Sequence, residues 1–422
     1  MSDPDWFERG FPHIWLPYTQ MKTAPPPLAA ARTEGTRIIL ADGRELVDGV
    51  ASWWTACHGY NHPYIRAGVQ RQLLAMPHVM LGGLVHEQVL TLAQRLCALL
   101  PNNLERVFFS DSGSVAVEVA MKMAVQYWLN QGIRSRTKFL AFKGGYHGDT
   151  FATMAVCDPQ EGMHVLFKGV LPEQYVIDLP RDEASTAAFD AFLERHAREL
   201  AGILVEPLVQ GAGGMIFHEA EVLKRLRAGA DRHGIHLIFD EIFTGFCRTG
   251  AMFACEAAEV APDIITLGKG LTGGTLPLAA TIASKKIFDA FWSDDPKHAL
   301  MHGPTYMGNA LACAAANASL DLFEREPRVE QAGVIAKHLA LGLGHCVGLP
   351  GVKDVRVKGA IGVVELDRIG DLNVLKQRFV DAGVWVRPFG NIVYLTPALT
   401  IDKDDLATLT EAVVKVLREH NN

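Results

Sequence analysis

The sequence lacks the features that define several large classes of protein. No apolar stretch among its 422 residues reaches the roughly 20 that a membrane-crossing helix needs, so no membrane partner is expected. The opening residues, MSDPDWFERG, have neither a basic nor an apolar segment and do not read as a secretory leader. There is no run of lysine and arginine, and 40 basic against 47 acidic side chains leave a formal charge of −7. Nucleic acid is therefore not an expected partner, because binding it draws on clustered cations that release counterions. The seven cysteines (Cys57, Cys97, Cys157, Cys247, Cys255, Cys313 and Cys346) are odd in number, scattered and free of any C-x-x-C spacing. They read as reduced thiols of a cytoplasmic enzyme rather than a disulfide frame or a zinc site. Glycine (39) and proline (21) are too few for a collagen-like or low-complexity chain. Absent too are G-x-G-x-x-G after a strand, G-x-x-x-x-G-K-[ST] and H-E-x-x-H, so neither a dinucleotide fold, a P-loop nor a zinc protease is supported. His58 and His62 stand four apart, but Gly59 and Pro63 break any helix between them, and no metal is expected.

What remains is an ordinary globular composition, 49% hydrophobic and 21% charged, over a length that favours about two or three domains. Pro25–Pro26–Pro27 forbids helix in an N-terminal arm. The runs RIIL (37–40) and ELVD (45–48) flank Ala41–Asp42–Gly43–Arg44, a hairpin signal. From about 65 to 325, β-prone runs alternate with helical stretches: RVFFS (106–110), KFLAF (138–142), GILVEP (202–207), IHLIFDEI (235–242), DIITLGK (263–269) and LAATIAS (278–284). Continuous apolar runs of this kind read as buried parallel strands, and their alternation with helices implies an α/β sheet. Val115–Leu129 reads as a mostly buried helix whose only polar line is Glu118, Lys122 and Gln126. Glu221–His233 reads as an amphipathic helix stopped by Gly234. The tail reads as α+β, closing on a helix over Asp402–His420 with Leu406, Leu409, Val413, Val416 and Leu417 on its apolar face.

Four constellations carry chemistry. SDSGS (110–114) follows a strand and opens a helix, where backbone N–H groups and hydroxyls suit a phosphate; an N-cap with a tight turn is the plain alternative. GGYHGDT (144–150) bends sharply enough to bring Tyr146 and His147 close to something flat. Asp240 ends a buried strand, where α/β sheets bind ligands. Lys269, between Gly268 and Gly270, ends another; a buried lysine loses basicity and becomes a nucleophilic amine able to form a Schiff base. Together a phosphate cradle, a strand-end carboxylate and such a lysine match the needs of pyridoxal 5'-phosphate.

On these residues the chain resembles the class III (ω-type) aminotransferases of fold type I among pyridoxal-phosphate enzymes, over nearly its whole length. The resemblance is carried by HIWLPYTQM (13–21), VDGVASWWTACHGYNHP (47–63), SDSGSVAVEVAMKMAVQYW (110–128), GYHGDTFATMAVCDP (145–159), VEPLVQGAGGM (205–215), DEIFTGFCRTG (240–250), LGKGLTGG (267–274), HGPTYMGNALACAAANASL (302–320) and VRPFGNIVYLTP (386–397). The lysine and DEIFTGF segments are general to the class. The Trp53–Trp54 pair, Pro17–Tyr18–Thr19 and RPFGNIVYL resemble the branch serving biotin biosynthesis.

The resemblance implies an α/β fold: a large, mostly parallel-sheet cofactor domain over 61–328, and a small α+β domain from both chain ends, 1–60 and 329–422. It implies that Lys269 bonds to the cofactor and shuttles a proton, with Asp240 at the pyridine nitrogen and Tyr18 also counted as catalytic. Gly113 and Ser114 would hold the phosphate, joined by Pro304 and Thr305 from the other subunit of a homodimer. Tyr146 would cover the cofactor ring. Substrate would meet Tyr18, Trp53, Trp54, Tyr146, Asp149, Arg248, Lys269, Gly303, Arg387 and Tyr394, with Arg387 taking its carboxylate. The branch implies amino transfer from S-adenosyl-L-methionine, whose sulfonium suits aromatic faces, to 8-amino-7-oxononanoate. If the tryptophans lie in an extended segment, neighbours point opposite ways and Trp53 faces the ligand. Cys247, where the class has glycine, together with Pro25–Pro27 and Tyr306, departs from the pattern. Rivals are class III enzymes acting on ornithine, 4-aminobutyrate or β-alanine, a same-fold racemase or decarboxylase, and a non-enzymatic regulator.

Overall fold

The computed structural model describes residues 4–159, 164–167 and 169–420; residues 1–3, at the head of the segment read for a leader, lie outside them. The chain divides into two compact units, one of Met1–His62 with Glu330–Asn422 and one of Pro63–Val329.

In the unit Pro63–Val329 all six β-prone runs form strands of one sheet. They are β1 (Leu104–Ser110), β2 (Lys138–Phe142), β4 (Leu200–Val205), β5 (His236–Asp240), β6 (Ile264–Leu267) and β7 (Ala279–Ser284). Between β2 and β4 in the chain comes β3 (Tyr175–Ile177). The sheet order is β1-β7-β6-β5-β4-β2-β3. β3 has no signal in the sequence because its three residues are only half-buried at the sheet edge. β6, β5, β4, β2 and β3 run parallel. β7 does not: LAATIAS lies antiparallel to both β6 and β1. The link 268–278 holds only a 3-10 turn at Lys269–Thr272, and a return to parallel needs a crossover of about a dozen residues or more. An apolar run reports burial, not direction.

Helix α1 (Gly113–Asn130) follows β1 and lies across the sheet. Its Val117, Ala120, Ala124 and Trp128 share one cluster with Phe139, Leu204, Ile238 and Ile264. Burying each large apolar side chain there stabilises the fold by about 1.5–3 kcal/mol. The polar line of α1 is half-buried. Glu118 accepts from the Thr150 hydroxyl and the Ala152 N–H, Lys122 donates to the Met301 carbonyl and Gln126 to that of Ala299. Helix α2 (Ala220–His233) ends at Gly234, whose φ of +59° is left-handed.

In the other unit the hairpin forms as read, with Arg37–Leu40 antiparallel to Glu45–Asp48. It is extended by Ala30–Glu34 on one side and by Val384–Trp385, parallel to Glu45–Asp48, on the other. A second antiparallel sheet joins Val352–Lys358, Ile361–Leu366 and Ile392–Leu395. Helix α3 (Lys403–His420) buries Leu406, Leu409, Val413, Val416 and Leu417. No helix is formed at Pro25–Pro27. Among the described residues no helix is long and apolar enough to cross a membrane, and none of the seven cysteines is in a disulfide.

Close backbone approach fixes the loop after β2. A Cβ on Gly213 would sit 1.8 Å from the Gly144 carbonyl oxygen. Gly213→Ala should therefore cost more than about 3 kcal/mol, whereas Gly234→Ala, left-handed but in open space, should cost about 1 kcal/mol. Urea unfolding of the two variants measures the difference; equal losses would contradict this packing.

Candidate active site

Six strands of the Pro63–Val329 unit point their carboxyl ends the same way, β3 at the edge among them. β2, β4, β5 and β6 are mutually parallel, and β1 shares their direction because both it and β6 are antiparallel to β7. This is where open α/β sheets hold ligands. The ends of β1, β2, β4, β5 and β6 each carry a group of interest.

After β1, Ser112 caps α1 by accepting from the Val115 N–H at 3.3 Å. The N–H groups of Gly113 and Ser114, at the first turn, have no helical carbonyl four residues back and point outward with the helix dipole. The cap leaves both N–H groups available, so an N-cap and an anion-binding helix start are compatible here. Gly113 has a packing reason as well: a Cβ there would meet Ile242 Cδ1 at 2.9 Å. The loop after β2 closes on the same place. The Asp149 N–H donates to Ser114 Oγ at 3.2 Å, and a Cβ on Gly148 would fall 2.3 Å from that oxygen.

β5 ends on Asp240, only 4% exposed. Its Oδ2 accepts from His147 Nδ1 at 2.8 Å; its Oδ1 accepts from the Thr266 hydroxyl and the Ile242 N–H, each at 3.2 Å. A carboxylate has about four lone-pair directions, so Oδ2 can still accept one hydrogen bond. β4 ends at Val205, and the next residue, Glu206, is buried. It accepts from the Tyr146 N–H and the Gly211 N–H, each at 2.9 Å. Burial pushes its carboxyl up to about 7, with Asp240 adding to the rise and His147 opposing it. Tyr146 stacks near the His164 ring, 22° between planes and 6.1 Å between centroids. His164 Nε2 lies 3.3 Å from Asp149 Oδ1.

Lys269 follows β6 with φ +45°, a left-handed non-glycine residue. Desolvation lowers its ammonium from the usual lysine range, and the charges of Asp240, Glu206 and Asp149 oppose that fall. Of its glycine neighbours, Gly270 has a packing reason of its own: a Cβ would press on Phe246 Cβ at 3.1 Å. An amine eased toward neutrality, a carboxylate with a lone pair in reserve and a helix start with two outward N–H groups fit an aldehyde, a pyridine nitrogen and a phosphate.

Other sequence-predicted residues of this unit lie as follows. Gly303 and Thr305 are exposed and Pro304 half-buried on the loop before Ala310–Arg325. Tyr306, a departure from the class pattern, packs against His78 with the rings tilted by 38° and 4.7 Å between centroids. Arg248 is only 2% exposed. Before it, Phe246 (φ +59°) and Cys247 (φ +65°) are both left-handed, which explains why glycine suits position 247. The Cys247 thiol reaches Met252 Sδ at 3.9 Å.

The other unit gathers a second set. Arg387 lies over the Trp53 ring, 4.8 Å from its centroid, and the Tyr18 ring meets Trp53 edge-on at 6.2 Å. Among the described residues no carboxylate lies within ion-pair distance of Arg387, and desolvation lowers its pKa. Trp54 packs instead toward Tyr394, ring to ring at 6.1 Å, and Tyr394 is buried. The extended geometry expected for the tryptophans is wrong. Ala51, Ser52, Trp53 and Trp54 have φ of +45°, +49°, +56° and +71°, a left-handed turn that separates the rings by rotation rather than by alternation. Left-handed backbone costs about 1–2 kcal/mol per non-glycine residue, so four in succession need specific support.

From sequence His147 is brought near a flat group but is not paired with Asp240, and Thr266, Glu206 and His164 are not singled out. For Glu206 a signal existed: like Asp240, it is a carboxylate closing a buried β-run. The raised carboxyl of Glu206 sets a sign. Its proton is held more tightly in the folded chain, so the stability it contributes is complete below about 4.5 and is lost as pH rises through about 7. Glu241, also pushed up to about 7 by burial, adds the same slope while binding the Ala254 and Cys255 N–H groups. The thermal midpoint should therefore fall between pH 5 and 8 from this source. Glu206→Gln should remove roughly half of that slope, whatever constant offset the amide introduces. An unchanged slope would place the titration elsewhere.

The family described as "Aminotransferase class-III" matches residues 18–417. The adenosylmethionine-8-amino-7-oxononanoate aminotransferase of Mycobacterium leprae is 46% identical over 413 residues, 96% of this chain and 94% of that protein. The crystal structure of the enzyme so named from Methanocaldococcus jannaschii superposes with a TM-score of 0.94 at 33% identity, covering 99% of each chain. An amine transaminase from an uncultivated Pseudomonas species, in its PLP-bound form, gives 0.89 at 35% identity over 97% of this chain and 99% of that one. The chain belongs to the class III aminotransferases, pyridoxal-phosphate-dependent enzymes.

Proposed function

We propose that this chain moves the amino group of S-adenosyl-L-methionine to 8-amino-7-oxononanoate, giving 7,8-diaminononanoate for biotin, in two stages, as a cytoplasmic homodimer. The observation that carries amino transfer is the placing of a desolvated Lys269 and a hydrogen-bonded Asp240 on adjacent parallel strand ends. The two substrates are those in the name shared by the relatives above.

When bound, pyridoxal phosphate supplies the aldehyde that carries the amino group between stages and a ring that takes up electrons. Lys269 Nζ would hold the group through that aldehyde. Once displaced, it would take a proton from the donor's α-carbon as a neutral amine, and the ammonium so formed would be the group that gives a proton back. Asp240 Oδ2 keeps a proton on the ring nitrogen, and His147 and Thr266 fix the carboxylate for that task. Gly113 and Ser114 hold the phosphate, with Pro304 and Thr305 of a second copy adding contacts and its Gly303 approaching substrate. Tyr146 covers the ring.

Substrate recognition falls to Arg387, whose planar guanidinium suits a carboxylate, and to the faces of Tyr18, Trp53 and Trp54, which attract a sulfonium. Tyr394 backs Trp54, while Asp149 and Arg248 contribute polar contacts.

Purified protein given S-adenosyl-L-methionine and 8-amino-7-oxononanoate should yield 7,8-diaminononanoate by mass spectrometry. Lys269→Ala should lose at least about a hundredfold in rate. Arg387→Ala should raise KM for a carboxylate substrate about tenfold or more, with little recovery in Arg387→Lys. Turnover with ornithine, 4-aminobutyrate or β-alanine, and none from S-adenosyl-L-methionine, would overturn the substrate assignment while leaving amino transfer intact.

A further inference from the structure

The left-handed turn 51–54 lacks glycine, so its conformation must be imposed from outside. The buried carboxylate of Asp48, 2% exposed at the end of the strand Glu45–Asp48, does this. Its Oδ1 accepts from the Val50 N–H at 2.8 Å and its Oδ2 from the Ser52 N–H at 2.9 Å. Oδ2 also accepts from the Tyr60 hydroxyl at 2.6 Å, and the Tyr60 oxygen is hydrogen-bonded to Ser52 Oγ. Tyr60 is itself anchored: its N–H donates to the Gly35 carbonyl at 2.6 Å, and its carbonyl accepts from the Gly35 N–H. The turn then closes by bonds from the Trp54 N–H to the Val50 carbonyl and from the Thr55 N–H to the Ala51 carbonyl, each 2.9 Å. What it presents is the Trp53 ring, 37% exposed, on which Arg387 and Tyr18 rest.

We propose that Asp48 and Tyr60 are positioning residues for substrate, a carboxylate–phenol clamp that holds the turn left-handed and so sets the Trp53 ring and the Arg387 guanidinium stacked on it. The inference rests on the reading that Trp53 and Arg387 meet substrate. A buried carboxylate with three donors is an expensive way to make a turn unless that conformation is needed, because each donor must be held in place. Without the clamp the segment relaxes toward right-handed or extended backbone. Either change turns Trp53 away and leaves Arg387 without its aromatic support.

The test uses the holoenzyme and four variants: Asp48→Asn, Tyr60→Phe, Trp53→Ala, and Asp48→Asn combined with Ser52→Gly. The glycine tolerates positive φ without a clamp. Asp48→Asn and Tyr60→Phe should each raise KM for S-adenosyl-L-methionine or 8-amino-7-oxononanoate about tenfold, with kcat within about twofold. Ser52→Gly should return most of that KM loss in the Asp48→Asn background, a recovery that mere destabilisation does not give. Should Asp48→Asn fail to fold, Tyr60→Phe decides alone. Folded variants with unchanged KM, or with kcat, KM and thermal midpoint worsening together and no rescue by glycine, would overturn the clamp if Trp53→Ala raises KM. If Trp53→Ala leaves KM unchanged, the parent reading of the tryptophan fails and the clamp falls with it.

Discussion

The carboxylate of Asp240 is the point on which the proposed chemistry depends. An acid at the end of a buried strand is unfavourable unless donors meet it, and here His147, Thr266 and the Ile242 N–H do so from three elements. The same contacts organise their surroundings. Ile242, tied to Asp240 through its N–H, fills the space that a side chain at Gly113 would need, so the acid and the first turn of α1 share a wall. His147 is carried on the loop whose Asp149 N–H reaches Ser114. Moving the acid would disturb both.

Buried charge is managed differently at each strand end. Asp240 is satisfied by donors with capacity to spare. Glu206 is satisfied by two backbone N–H groups and is driven toward its neutral form by burial. Lys269 is driven toward its neutral form by the same cause, against three acidic neighbours. One environment thereby eases the amine of Lys269 toward neutrality beside an Asp240 held by three donors, the combination that the proposed pyridoxal-phosphate chemistry needs.

Much of this was legible in the sequence because strand ends are legible. Six apolar runs became strands of one sheet, and Asp240 and Lys269 could be placed at carboxyl ends before any coordinates. The hairpin before residue 50 and α3 follow from an Asp-Gly turn and a 3.6-residue period. What escaped was information held at a distance. The direction of β7 depends on how short the preceding link is. The turn at 51–54 contains no glycine to announce it, since its support comes from Asp48 and Tyr60. Phe246 and Cys247 are left-handed for reasons of fold that their side chains do not advertise. Glu206 was missed although it shows the same strand-end pattern as Asp240.

The most direct test of the central claim is chemical. Purified protein is reduced with borohydride, digested and mapped by mass spectrometry. The account predicts a reduced phosphopyridoxyl group on the peptide containing Lys269. A label on another lysine, or a protein that takes none after incubation with pyridoxal phosphate, would contradict it.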